Sequence, residues 1–166
     1  MKKVNHMIRE HLPMRKKLRL EGYDYSSGGA YFVTICTNNR KHIFWDVGAN
    51  CVRPHEPIPL SPIGRLIDDE IQKLNSVYEN VFVDKYCIMP DHIHMILMIE
   101  TDESRRTQFA PTISRVIKQF KGAISKQVGY SFWQKGFVDR IIRDDKMYQG
   151  IWKYIDENPL HSEDEE

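Results

Sequence analysis

Val81–Glu100, VFVDKYCIMPDHIHMILMIE, decides the fold. Two runs rich in β-branched and aromatic residues, VFVDKYCIM (81–89) and HIHMILMIE (92–100), flank Pro90-Asp91, which predicts two strands folded back as an antiparallel hairpin. Side chains alternate along a strand. His92, His94, Ile96 and Met98 therefore share one face, and Ile93, Met95, Leu97 and Ile99 share the other. The uniformly apolar set suits a core beneath helices, leaving the histidines on the opposite face. Two imidazoles at i and i+2 converge on one point, so His92 and His94 form a candidate metal pair. Alone, an H-x-H string is weak, since sheet-packed histidines produce it too. Metallohydrolases that use it usually add a following Asp and His, whereas His94 is followed only by MILMIE.

Working outward, Ser61-Pro62 is a cap followed by proline at the first helical position. Ile63, Leu66, Ile67, Ile71 and Leu74 continue at helical spacing, predicting a helix over 62–77. Upstream, YFVTICT (31–37) reads as a strand that Asn38-Asn39-Arg40 turns, and residues 46–62, with four prolines, read as an excursion loop. Downstream, the stripe Ile113, Val116, Ile117, Phe120, Ala123, Ile124 and Val128 predicts an amphipathic helix over 111–128. FVDRIIR (137–143) reads as a fourth strand, and Asp144 caps a last helix that stops before Pro159. The order β-α-β-β-α-β-α is that of an α+β, ferredoxin-like split βαβ fold: a four-stranded antiparallel sheet, two crossover helices on one face and an added C-terminal helix.

That added helix carries Tyr154 and, one turn later, Asn158. At 100° per residue Ile151, Trp152 and Ile155 form its buried stripe, and Tyr154 lies about 110° from the stripe centre. Tyr148 falls on the stripe and reads as core. Tyr154 reads either as an amphipathic boundary residue or as a nucleophile held beside a metal. A free phenol ionises near about 10, so the second role needs a base or a positive environment. Two imidazoles and one amide oxygen would leave an ion with open positions. Such ligands favour manganese or another transition ion over magnesium in affinity.

The length of 166 residues suits one domain, and 41% apolar with 28% charged residues is the composition of a globular protein. The net charge of +1 conceals an uneven distribution. Residues 1–20 carry seven Lys/Arg against one Glu, and 105–146 carry ten Lys/Arg against three Asp. A polyanion would meet positive surface there. Cys36, Cys51 and Cys87 have no paired spacing, which argues against a disulfide framework or a cysteine zinc site and for a reducing cytoplasm. No apolar run reaches the roughly 20 residues of a membrane span, and no signal core follows the N-terminus. The expected organisation is a basic arm over 1–27, one catalytic domain over 28–160 and an acidic tail over 161–166.

GGAYFVTICTNNR (28–40), MPDHIH (89–94) and WQKGFVDRIIRDDKMYQGIWKYIDENP (133–159), three strings in order at suitable separations, resemble the single-tyrosine HUH transposases, most closely the REP-associated tyrosine transposases. The resemblance runs from about Gly22 to Pro159. It implies a metal-dependent DNA strand transferase in which Tyr154 forms a 5′-phosphotyrosine and leaves a free 3′-hydroxyl. His92 and His94 would hold a divalent ion, Mg or Mn, with Asn158 as third ligand. The implied partner is single-stranded DNA with palindromic hairpins, contacted by Arg40, Arg115, Lys118, Lys121, Arg140 and Arg143. Arg140 stands where many relatives place a histidine. A homodimer and a monomer are both found among such relatives. Two readings compete with this one: a noncatalytic single-stranded DNA or RNA binder using Tyr31, Phe32, Phe82 and Tyr86 on an open sheet, and a metal-dependent phosphodiesterase using water.

Overall fold

The computed structural model describes residues 28–46, 59–100 and 112–160. The basic arm, most of the proline-rich loop, Arg105, Arg106 and the acidic tail lie outside these residues. The elements follow the expected order: β1 (Gly29–Cys36), α1 (Pro62–Val77), β2 (Val81–Ile88), β3 (His92–Ile99), α2 (Ile113–Val128), β4 (Val138–Ile142) and α3 (Asp145–Glu157). The sheet order is β2-β3-β1-β4 with every pair antiparallel, the split βαβ topology.

Capping sets the helix starts. Ser61, Thr112 and Asp144 each accept a backbone N–H of the first turn, from Gly64, Arg115 and Met147 respectively. Gly129, at φ 90°, closes α2 in the left-handed region that a side chain rarely tolerates. Pro159 does not end the chain's helical path, because a 3-10 turn over Asn158–Leu160 continues from α3.

Cross-strand register sorts the side chains into two faces. Tyr31, Val33 and Ile35 pair with Leu97, Met95 and Ile93, and all six are fully buried. α1 and α2 cover this face with Ile67, Ile71, Leu74, Ile113, Val116, Ile117, Phe120 and Ile124. The other face, with Phe32, Thr34, His94 and Ile96, lies under α3, which buries only Ile151 and Ile155 there. A bulge between Val83 and Lys85 inserts Asp84 into β2 and reverses its phase. Beyond it, Tyr86 meets Asp68 of α1, while Lys85 turns to Asp156 and the Trp152 ring of α3.

Trp152 departs from the helical-wheel expectation. It is exposed, with the Lys85 ammonium 3.9 Å from its ring centre, because α3 lies across the β2 edge and the far side of the wheel meets a charged strand. Tyr148 likewise only flanks the core, and its hydroxyl donates to the Asp84 carboxylate.

Candidate active site

The site begins at the turn between β2 and β3. Pro90 and Asp91 are fixed by backbone bonds to the segment after β1: Thr37 N–H donates to the Asp91 carbonyl at 2.8 Å, and Ile43 and Phe44 N–H donate to the Pro90 carbonyl at 2.9 and 3.0 Å. His92 and His94 leave this turn on one face. Their Nε2 atoms stand 3.0 Å apart, and each ring has a partner on its other nitrogen. Asp91 Oδ1 lies 2.6 Å from His92 Nδ1, and Thr34 Oγ1 lies 2.9 Å from His94 Nδ1. Arg40 Nε reaches the second Asp91 oxygen at 2.6 Å, and its Nη1 donates to Cys36 Sγ at 3.0 Å.

α3 supplies the phenol. The Tyr154 hydroxyl lies 3.4 Å from His94 Nε2, a loose contact, and the Tyr154 ring meets Phe32 edge-on while Phe32 stacks on His94. Tyr154 is 50% exposed where His94 is 6% exposed, so the phenol sits at the mouth and the imidazole at the floor. Burial, then the charges of His92 and Arg40, pushes His94 down to about 3, which keeps it neutral and able to offer a lone pair. Burial alone would raise Asp91, but the bond to His92 and the charges of His92, Arg40 and His42 more than offset it and hold the carboxyl below its ordinary range.

Asn158 forms the C-cap of α3, with its backbone N–H on the Tyr154 carbonyl. Its side-chain nitrogen is buried with no hydrogen-bond partner. Amide oxygen and nitrogen are interchangeable by assignment, so this is an unspent amide end. Among the described residues no group of three or more His, Cys, Asp or Glu sits at metal-holding spacing. A cation here would draw on two imidazoles and this amide, and two converging lone-pair nitrogens with an orphaned amide fit that demand.

The expected DNA contacts separate. Arg140 pairs across the sheet with Phe32, on the face bearing His94 and Tyr154, and is exposed; Arg143 follows at the end of β4. Arg115 and Lys118 are exposed on α2, in the layer beyond the opposite face. Lys121 donates to the Gln134 and Gly136 carbonyls, each at 2.8 Å, and its burial lowers its pKa. Arg40 is engaged by Asp91. Sequence reading missed Asp91, Thr34 and Phe32. The only early signal for Asp91 was its adjacency to His92, and the other two become neighbours of His94 through register alone.

No protein-family model matches the chain. An uncharacterised Haemophilus influenzae protein is 27% identical over 165 residues, covering 88% of each chain. A second protein of that organism, provisionally named a REP-associated tyrosine transposase, is 26% identical over 152 residues, covering 82% of this chain and 73% of its own. Among solved structures, a REP-associated tyrosine transposase bound to a REP hairpin superposes with a TM-score of 0.61 at 19% identity, over 86% of this chain and 73% of that one. This chain resembles the REP-associated tyrosine transposases. The likeness spans most of the chain in sequence and extends to the fold. No helix among the described residues is long and apolar enough to cross a membrane.

Proposed function

We propose that this protein is a single-tyrosine DNA transposase of the HUH type, cleaving and rejoining single-stranded DNA beside hairpins. The carrying observation is the Tyr154 hydroxyl 3.4 Å from His94 Nε2, which itself faces His92 Nε2 at 3.0 Å. A phenol at the mouth of a two-imidazole site is placed to attack a phosphate lodged there. The phenolic oxygen forms a bond to phosphorus, the bond from phosphorus to the 3′-oxygen breaks, and the 3′-oxygen departs to become a hydroxyl while the phenolic proton passes to water. The DNA 5′-phosphate is then a tyrosine ester, and a 3′-hydroxyl reverses the step to rejoin.

His92, His94 and Asn158 would hold the divalent ion, magnesium or manganese. When bound, that ion offsets charge developing on the nonbridging phosphate oxygens. Phe32, edge-on to Tyr154 and stacked on His94, limits where the phenol can point. Arg140 on the same face offers a phosphate contact to the flanking strand. A reducing cytoplasm is the compartment that this function calls for.

Three of the four aromatics on which the binding-module alternative relied are committed elsewhere. Tyr31 is fully buried, the Tyr86 hydroxyl is held by Asp68, and Phe32 is enclosed by His94 and Tyr154 under α3. Incubation of the full chain with manganese and an end-labelled single-stranded hairpin, followed by a denaturing gel, separates the remaining readings. The expected product, seen with a 3′-end label, is the 3′-side fragment joined to the protein through its 5′-phosphate, a product that Tyr154→Phe abolishes. Cleavage without any linked fragment would identify water as the nucleophile and the protein as a phosphodiesterase.

A further inference from the structure

The two Nε2 atoms converge to 3.0 Å, so each can offer a cation a lone pair only when its ring carries its proton on Nδ1. The partners on the far side of each ring settle where that proton is. Asp91 presents an ionised carboxylate, which only accepts, so His92 carries its proton on Nδ1 and leaves Nε2 bare. Arg40 holds the other Asp91 oxygen, and Thr37 N–H holds the Asp91 backbone carbonyl, so both carboxylate oxygens are engaged and the backbone that carries them is tied. Arg40 makes the contact from a left-handed backbone conformation, φ 52°, directly after Asn39 at φ 55°. Such a conformation in a bulky residue persists when surrounding contacts hold it.

His94 faces a different partner. The Thr34 hydroxyl can donate or accept, so it supports either tautomer. To aim its Nε2 lone pair at a cation, His94 carries its proton on Nδ1, and the Thr34 hydroxyl accepts it there.

We propose that Asp91, clamped by Arg40, is a positioning residue that locks His92 in the Nδ1–H tautomer, whereas Thr34 lets His94 exchange tautomers. One Nε2 of the pair is thereby fixed as a bare donor for a cation, and the other is adjustable. The proposal rests on the reading of His92 and His94 as metal ligands.

The test is long-range nitrogen-15 NMR of the histidine rings in the full chain at pH 7.5, first ion-free and then with zinc, a diamagnetic ion with affinity for imidazole. Ion-free protein should show His92 protonated on Nδ1 alone and His94 divided between its two nitrogens, and zinc should leave the proton of both rings on Nδ1. Asp91→Ala should lose the His92 preference and bind zinc about ten-fold or more weakly, as expected for lost support of a ligand. Thr34→Val should weaken zinc while leaving the Asp91–His92 bond in place. An amide spectrum confirms that each variant is folded, and the ion-free measurement needs no variant. His92 protonated on Nε2, or on both nitrogens, overturns the assignment, as does unchanged zinc affinity in folded Asp91→Ala. Failure of the unsubstituted protein to take up zinc refutes the ligand reading instead, and the ion-free spectrum tells that failure apart.

Discussion

His94 is a titratable residue set in surroundings far from water. Held down to about 3 by burial and by neighbouring positive charge, it binds fewer protons folded than unfolded between that value and its ordinary 6.5. Stability contributed by the neutral ring is therefore present above about 6.5 and is lost as pH falls toward about 3. Ion-free protein should show a urea midpoint that drops between pH 7 and 4.5, and His94→Asn should flatten that drop. The difference in slope should be at most about 1.4 kcal/mol per pH unit, the limit for one proton. Equal slopes would mean that His94 titrates normally. Tyr148→Phe makes the companion control for Tyr154→Phe: its hydroxyl serves Asp84, so the adduct should still form at near wild-type yield on the same gel. At this scale, strand alternation made the histidine pair legible, and the helical wheel set Tyr154 apart from the core. Asp91, Arg40 and Thr34 were not legible as a set, because their contacts join the ends of two strands and a turn that only the folded register brings together.

Among the elements, α1 is the best specified, with Ser61 as cap, Pro62 inside the first turn and its apolar residues at helical spacing. Its close approach to the segment after β1 depends on one residue. A Cβ placed on Gly64 would lie 2.1 Å from the Phe44 carbonyl oxygen, so Gly64→Ala must push the helix off that segment. A loss of about 1–3 kcal/mol, typical of overpacking, should appear in denaturant unfolding. Gly150→Ala, on α3 with nothing within 4 Å of its added carbon, is the paired substitution and should be neutral or slightly stabilising. The bulge at Asp84 escaped the sequence reading, because VFVDKYCIM alternates well enough to pass for an uninterrupted strand. Trp152 was misplaced for a related reason: a wheel gives the faces of a helix but not what each face meets.

For the whole molecule, the sheet divides the basic residues into two populations. Arg140 shares a face with Tyr154, whereas Arg115 and Lys118 stand on α2 beyond the opposite face. A short unpaired strand across Tyr154 cannot touch both. Arg140→Gln should weaken binding of an unpaired oligonucleotide, and the double substitution Arg115→Gln, Lys118→Gln should leave that binding unchanged. If the hairpin stem reaches α2, the same double substitution should lower the salt dependence of hairpin binding by about two phosphate contacts. An affinity that does not change with salt would place recognition on neither face.

The division runs through the energetics as well. α1 and α2 bury eight apolar side chains against one face, and α3 buries two against the other. One side of the sheet keeps the protein folded, and the other can be rewritten at small cost. Random substitutions along α3 should therefore yield many folded variants with altered chemistry, while the same mutational load on α1 and α2 would empty the library. A lineage drifting under weak selection could lose Tyr154 and still leave a stable protein behind, ready to be kept for whatever the remaining surface binds.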